Sequence, residues 1–320
     1  MTTPKWMRLL VVPVLLVVAC SGSDTNTVGP TPTPTPTPST PPTPPPTPSY
    51  TMFLVGSGDI ADCTSFSNDG GLHAEATAKL LDGMPEATVF TAGDNAYFNA
   101  TAEEFNNCYG PRWGRHKNRT YPSPGNHEYQ ISPTPYFDYF GGRAGPRGAG
   151  FYSYTLGNWH IVSLNSNVGV GPGSEQLQWL NGDLEANSRT DTARCTLAYW
   201  HHPLFTSGPS AGSSGALRDI WQALYKWGVD VVVNGHDHMY ERFNAQDPNG
   251  LPGPAGIREY IVGTGGVKLY EFGATAPNSA SRIRTWGVIR FTLRDVGYDS
   301  VFVEAGTLAQ LDSSVGNLCH

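Results

Sequence analysis

Five short stretches of this chain carry side chains that bind cations, and each follows an apolar run. They read Gly58-Asp59, Gly93-Asp94-Asn95-Ala96-Tyr97, Gly125-Asn126-His127-Glu128, His201-His202-Pro203 and Gly235-His236-Asp237-His238. Carboxylate, amide, phenol and imidazole are donors suited to holding two small, hard-to-borderline cations side by side. Cations paired in this way act most often on esters of phosphoric acid, where they clamp the attacking and leaving oxygens. A lone Gly-Asp at the end of a strand is usually a turn and nothing more. Five such stops, all bearing metal-capable groups, exceed what turn chemistry accounts for.

Side chains this far apart in sequence meet only if the fold gathers them. Residues 52–56, 87–92, 159–165, 196–200 and 229–234 are short apolar runs suited to buried strands. Helical patterns lie between several of them, at 72–81, 174–184 and 216–227, and Thr101-Ala102-Glu103-Glu104 has the form of a capping box. Strand-like stretches at 259–263, 286–293 and 298–303 follow. Strands alternating with helices, then further strands, predict a layered α/β domain on central sheets. In open α/β sheets the binding crevice lies beyond the carboxyl ends of the strands. That rule brings Asp59, Asp94, Asn126, His201 and the His236/His238 pair to one edge. The sequence shows no second folded domain and no internal repeat.

On these motifs, residues 50–305 resemble the calcineurin-like metallophosphoesterases, and among them the purple acid phosphatases. The superfamily's usual first motif is Asp-x-His, but this chain reads Asp59-Ile60-Ala61. Tyr97 instead lies three residues after Asp94, the spacing at which purple acid phosphatases place a tyrosine on ferric iron. The stretch from Gly235 to Arg242 is similar to their Gly-His-x-His-x-Tyr-Glu-Arg motif. The resemblance implies a layered αββα sandwich with two central mixed sheets over residues 50–320. It implies a first metal held by Asp59, Tyr97 and His238, a second by Asn126, His201 and His236, and Asp94 bridging them. His201 takes the ligand role over His202 because the family ligand lies two residues before the proline. His202 is assigned to the substrate pocket, with a packing role equally open.

Phenolate favours Fe(III), while the amide and two imidazoles suit Zn(II), Fe(II) or Mn(II) as the partner ion. Paired ions lower the pKa of bound water, so hydroxide is available for in-line attack on phosphorus. His127, beside Asn126, is the candidate to protonate the leaving oxygen, the alternative being that it only orients its neighbour. The expected activity is that of a phosphomonoesterase. A phosphodiesterase acting on nucleotides or lipid head groups is the second reading, and a non-catalytic surface binding lipoprotein the third. Two departures bear on that choice. The plant enzymes carry a leading β-sandwich where this chain has a Pro/Thr-rich tract. They also carry a further His pair where this chain has Phe205-Thr206-Ser207-Gly208-Pro209-Ser210-Ala211-Gly212, a Gly/Ser-rich stretch open to a gating role.

The remaining features concern export and packing. Charged residues are 15% of the chain and the formal charge is −7, which argues against a nucleic-acid scaffold as partner. Lys5 and Arg8 precede an apolar run that closes on Val17-Val18-Ala19-Cys20, similar to a bacterial lipobox. Residues 1–20 are therefore read as a lipoprotein signal, with Cys20 lipid-modified and the protein exported and membrane-anchored. Residues 21–49 read as an extended linker, rich in Pro and Thr from Pro30 to Pro48. Cys63, Cys108, Cys195 and Cys319 suit two disulfides, with Cys63–Cys108 and Cys195–Cys319 favoured over the two other pairings. His73 and His116 read as surface groups, and His160 as a satisfied core histidine. Glu128 is assigned to bracing the turn at His127, and Asp62 and Asp237 to supporting positions. Gly263-Thr264-Gly265-Gly266 reads as a tight turn near the site.

Overall fold

The computed structural model describes Gly29 and residues 50–189, 195–210 and 215–320. The signal and linker expectations, Cys20 included, lie outside the described residues. Every element below belongs to the compact unit of residues 48–320.

The strands in chain order are β1 (Met52–Ser57), β2 (Ala61–Asp62), β3 (Thr88–Ala92), β4 (Ala96–Tyr97), β5 (Thr120–Ser123), β6 (Tyr152–Leu156), β7 (Trp159–Ser163) and β8 (Cys195–Tyr199). They continue as β9 (Val231–Asn234), β10 (Tyr240–Phe243), β11 (Arg258–Val262), β12 (Ser279–Ile283), β13 (Gly287–Arg294), β14 (Gly297–Glu304) and β15 (Gln310–Leu318). The helices are α1 (Leu72–Asp82), α2 (Ala102–Glu104), α3 (Asn126–Tyr129), α4 (Thr134–Phe140), α5 (Glu175–Ser188) and α6 (Ala216–Lys226). Thr101 caps α2 through the expected reciprocal box with Glu104.

Two mixed sheets form the centre. The six-stranded sheet runs β15-β14-β13-β1-β3-β5, and the seven-stranded one β12-β10-β11-β9-β8-β7-β6. β1, β3 and β5 are mutually parallel, as are β7, β8, β9 and β11. Neighbouring strand residues face opposite sides, as the pleat demands. Leu54, Leu197 and Val231 enter the core between the sheets with Phe90 and Phe291, whereas Val55, Ala198 and Val232 point outward. Val55 joins Ala74, Ala78 and Leu81 of α1, while Ala198 and Val232 join Leu180 of α5 and Trp221 of α6. Helix, sheet, sheet, helix is thus the layer order, as expected. Burial of each large apolar side chain contributes about 1.5–3 kcal/mol, which is why alternate residues of one strand can be committed to two cores.

Both favoured disulfides are formed, Cys63–Cys108 and Cys195–Cys319. They close loops of 45 and 124 residues, worth up to about 4 and 5 kcal/mol by chain entropy. Among the described residues no helix is long and apolar enough to cross a membrane.

Two histidines depart from their expected setting. His116 is buried, its Nε2 3.3 Å from the Ala78 carbonyl and 3.0 Å from Asp82. A 3₁₀ turn over Trp113–Arg119 folds the basic loop against α1, which local composition does not signal. His73 is half-buried and stacks on Trp286 with ring centroids 3.4 Å apart, so it too is more than a surface group. His160 is buried and bonded to Asp183 at 2.7 Å, as expected of a core histidine.

Candidate metal centre

Parallel strands of both sheets end at one edge and deliver the chemistry-bearing residues there. Asp59 follows β1, Asp94 follows β3, Asn126 follows β5, His201 follows β8 and His236 follows β9. Three of these residues adopt left-handed backbone: Asp59 at φ 59°, Asp94 at φ 49° and His236 at φ 71°. Such conformations cost about 1 kcal/mol or more each and persist only where the surroundings enforce them. Gly125 shows how tightly this is done. A Cβ there would lie 2.1 Å from Asp94 Oδ1, so only glycine lets the Asn126 turn approach the carboxylate. The short parallel pair β2–β4 ties the Asp59 loop to Tyr97.

All seven predicted donors come together. Asp59 Oδ1 lies 2.9 Å from the Tyr97 hydroxyl and 3.2 Å from His238 Nε2. Asp94 Oδ2 lies 3.0 Å from Tyr97 and 3.1 Å from His201 Nε2. Asn126 Oδ1 is 3.1 Å from both His201 Nε2 and His236 Nδ1, which are themselves 3.2 Å apart. Asp94 therefore stands between an Asp59–Tyr97–His238 group and an Asn126–His201–His236 group. Asp59, Asp94 and His201 are fully or almost fully buried.

Backbone carbonyls settle which nitrogens face inward. His201 Nδ1 donates to Ala92 O and His238 Nδ1 to Lys268 O, each at 2.8 Å. Those partners assign the Nδ1–H tautomer and leave Nε2 lone pairs aimed at carboxylate oxygens. Lone pair facing lone pair at about 3 Å is repulsive unless a proton or a cation lies between. Burial alone would lower His201, but the Asp94 and Asp59 carboxylates outweigh it and hold its pKa at about 9. Burial likewise opposes Asp94, yet His201 and His127 hold that carboxyl far below its ordinary range. Burial, then Asp59 and Asp94, push the Tyr97 phenol well above its usual value. The donor set thus fits a pair of cations, which would take the place of the shared protons.

The flanking residues divide by contact. His127 N donates to Asp94 Oδ1 at 2.8 Å, and its Nδ1 lies 2.6 Å from Phe98 O. Its Nε2 is 3.7 Å from Asp94 Oδ2, beyond hydrogen-bond reach. His202 is half-buried, with Nδ1 2.7 Å from Ser166 Oγ and its ring 4.4 Å from that of His236. Burial and the neighbouring His201 and His236 lower its pKa strongly. Glu128 accepts from the backbone N–H groups of Gly125, Asp94 and Asn95 at 2.6, 3.0 and 2.8 Å, so it braces the Asp94 and Asn126 turns at once. Asp237 accepts from Thr206 and Ser210, and Glu241 from Ser207, pinning the stretch where the plant enzymes carry their extra His pair. Ala211 and Gly212 of that stretch lie outside the described residues. Asp62 holds the loop after β2 through Thr64 and Ser67. The Gly263–Gly266 segment is a turn against Asp59 and Asp237.

Sequence reasoning missed Ser166, Tyr270 and Phe66. Tyr270 stacks on His238 at 3.9 Å, and Phe66 lies 6.3 Å from the Tyr97 ring. None stands in a motif, and the supporting carbonyls of Ala92, Phe98 and Lys268 have no side-chain signature at all.

The calcineurin-like phosphoesterase family model matches residues 46–240. The chain belongs to that family. Purple acid phosphatase 15 of Arabidopsis thaliana is 30% identical over 226 residues, which is 60% of this chain and 42% of that protein. Acid phosphatase type 7 of Homo sapiens is 29% identical over 198 residues, 52% of this chain and 45% of its own. The chain therefore spans less than half the length of these relatives. The purple acid phosphatase PPD1 from yellow lupin seeds superposes with a TM-score of 0.67 at 17% identity, covering 83% of this chain and 53% of its own. GAP50, the anchor in the inner membrane complex of Plasmodium, gives 0.66 at 14% identity, covering 84% and 90%. At such identities these two structures establish the fold alone.

Proposed function

We propose that this phosphoesterase hydrolyses phosphomonoesters at a two-metal centre built from Asp59, Asp94, Tyr97, Asn126, His201, His236 and His238. The observation that carries the reading is the placement of Asp94 between two groups of three donors. Two cations held there would supply a hydroxide nucleophile and would neutralise charge on the phosphoryl oxygens. The phenol next to Asp59 favours Fe(III) in the first position, and the Asn126–His201–His236 group favours Zn(II), Fe(II) or Mn(II) in the second.

The chain's own residues do the rest. The carbonyls of Ala92 and Lys268 orient two imidazoles, so no rearrangement is needed as charge develops. The carbonyl of Phe98 fixes the His127 ring with Nε2 unengaged, the arrangement required to pass a proton to a departing alkoxide. His202, held by Ser166 beside His236, presents a neutral ring at the rim of the centre, where it would touch substrate.

Turnover of p-nitrophenyl phosphate against bis-p-nitrophenyl phosphate by the metal-loaded protein tests the reading. Faster release from the monoester is expected, and a clear preference for the diester would overturn it. The diesterase reading draws on the pinned Thr206–Ser210 segment, which offers no imidazole to a terminal phosphate. GAP50, the anchor in the inner membrane complex of Plasmodium, shares this fold. Zero turnover of both esters with two metals bound would favour a binding role here.

Export and anchoring through Cys20 rest on Lys5, Arg8 and the lipobox-like close. Two disulfides suit an oxidising compartment. Incorporation of labelled palmitate, lost in Cys20→Ser, tests the anchor.

A further inference from the structure

Beside the metal centre lies a cleft of about 520 Å³, and its walls come from segments far apart in sequence. Phe66 belongs to the loop after β2, His73 to α1, Lys268 to the loop after β11, and Arg284 and Trp286 to the link between β12 and β13. The size suits a nucleotide-sized ligand. Lys268 and Arg284 bring two cationic side chains to a cleft that Phe66 and Trp286 line with aromatic rings.

The walls are held in place independently of any ligand. The Trp286 indole N–H donates to Val267 O at 2.9 Å, and one face of the ring is stacked on His73. Arg284 Nε donates to Tyr270 O at 2.9 Å, and its Nη2 pairs with Glu271 at the surface. Asp62 and the Cys63–Cys108 disulfide fasten the loop that carries Phe66. Lys268 is exposed, and its ammonium forms no ion pair among the described residues. Preorganised walls of this kind spare a ligand the cost of ordering them.

The cleft is also wired to the centre. Lys268 O accepts from His238 Nδ1, and Lys268 N donates to Ser67 Oγ at 2.9 Å. The Phe66 ring lies 6.4 Å from His238 and 6.3 Å from Tyr97, so it stands on the border between cleft and metals. A phosphoryl group at the centre would leave its alcohol portion facing Phe66, with Lys268 beyond.

We propose that this cleft binds the leaving portion of the substrate, and that the substrate is a phosphomonoester whose alcohol bears a planar ring and a second anionic group. A nucleoside bisphosphate has that chemistry. The ring lies against Phe66 and Trp286, and the second anion meets Lys268 and Arg284. In the reaction, water adds at phosphorus, the P–O ester bond breaks, the alcohol oxygen takes a proton, and orthophosphate and the nucleoside monophosphate leave. This rests on the phosphomonoesterase reading above, and names the substrate class for that site.

The test compares adenosine 3′,5′-bisphosphate, adenosine 5′-monophosphate and glycerol 2-phosphate on the metal-loaded protein. Lys268→Glu changes only the side chain and keeps the backbone carbonyl that orients His238, so it is expected to raise KM for the bisphosphate about tenfold, with kcat unchanged and glycerol 2-phosphate within about twofold of wild type. Trp286→Ala is expected to raise KM for both nucleotides and not for glycerol 2-phosphate. An unchanged bisphosphate KM in Lys268→Glu, with glycerol 2-phosphate still turned over, would overturn the cleft assignment and leave the phosphatase reading standing. Quenching of tryptophan fluorescence by the bisphosphate needs no turnover. Equal quenching curves for wild type and Lys268→Glu would therefore refute the cleft even in a protein that hydrolyses nothing, whereas a weakened curve in the variant would support it.

Discussion

Tyr97 stands 2.9 Å from Asp59 through its hydroxyl, and 3.0 Å from Asp94 on the other side. One phenolic proton serves two carboxylates, and burial together with those charges keeps it bound well above the ordinary range. A trivalent cation held there would reverse the balance, because phenolate would then face a positive charge. The protein loaded with Fe(III) is expected to show a visible tyrosinate-to-iron charge-transfer band. Tyr97→Phe should abolish that band while leaving the far-ultraviolet circular dichroism unchanged. An iron-loaded protein that is active and colourless would remove Tyr97 from the iron's coordination.

Glu128 offers a sharper structural test. Its two oxygens accept four backbone N–H groups, from Gly125, Asp94, Asn95 and Ala96, in a fully buried position. Burial first, then the Asp94 charge, push this carboxyl up to about 8. Glu128→Gln keeps the shape but turns an NH₂ group toward at least one of those N–H donors, whichever way the amide lies. Loss of a buried acceptor costs about 1–3 kcal/mol. Urea unfolding at pH 9, where Glu128 is ionised and both oxygens accept, should show a deficit of that size, and metal content after dialysis should fall because the Asp94 and Asn126 turns loosen. Wild-type stability and metal retention together would show that the brace is dispensable.

These two residues also mark what a reader of the sequence can and cannot see. Asp59, Asp94, His201 and His236 are legible because each follows an apolar strand, and parallel strands share one crevice, whereas Asn126 follows β5, Thr120–Ser123, which no apolar run announces. Val55 and Leu54 show why the layers were legible too, since adjacent apolar residues need two cores. β15 was not, because Gln310–Leu318 is an exposed edge strand paired on one side, with no apolar alternation to announce it. His116 was misjudged because its burial depends on α1, a partner distant in sequence. The cleft between Phe66 and Trp286 was invisible for the same reason.

His320 provides a pH signature away from the metals. Its Nδ1 lies 3.2 Å from Asp230 Oδ1, and that contact raises its pKa despite partial burial. A histidine with a raised folded pKa stabilises the fold fully below its unfolded value of about 6.5, and the contribution is lost as pH rises through the folded value. The side chain is about one quarter exposed, so the effect is expected to stay under about 1 kcal/mol. His320→Gln should therefore be less stable than wild type at pH 5 and equal to it at pH 9 in urea titrations. A deficit that grows with pH would contradict the ion pair.

His127 separates proton transfer from metal binding. Its backbone N–H holds Asp94 and would do so in any residue, whereas only the imidazole offers Nε2 to a departing oxygen. His127→Ala is expected to keep both metals and to lose roughly 10²–10⁴-fold in kcat on alkyl phosphates. The loss should shrink on p-nitrophenyl phosphate, whose phenolate leaves without a proton. Equal losses on both esters would instead place His127 in orienting Asp94 and Asn126. Paired assays on the two substrates, with metal content measured on the same preparation, distinguish the two roles.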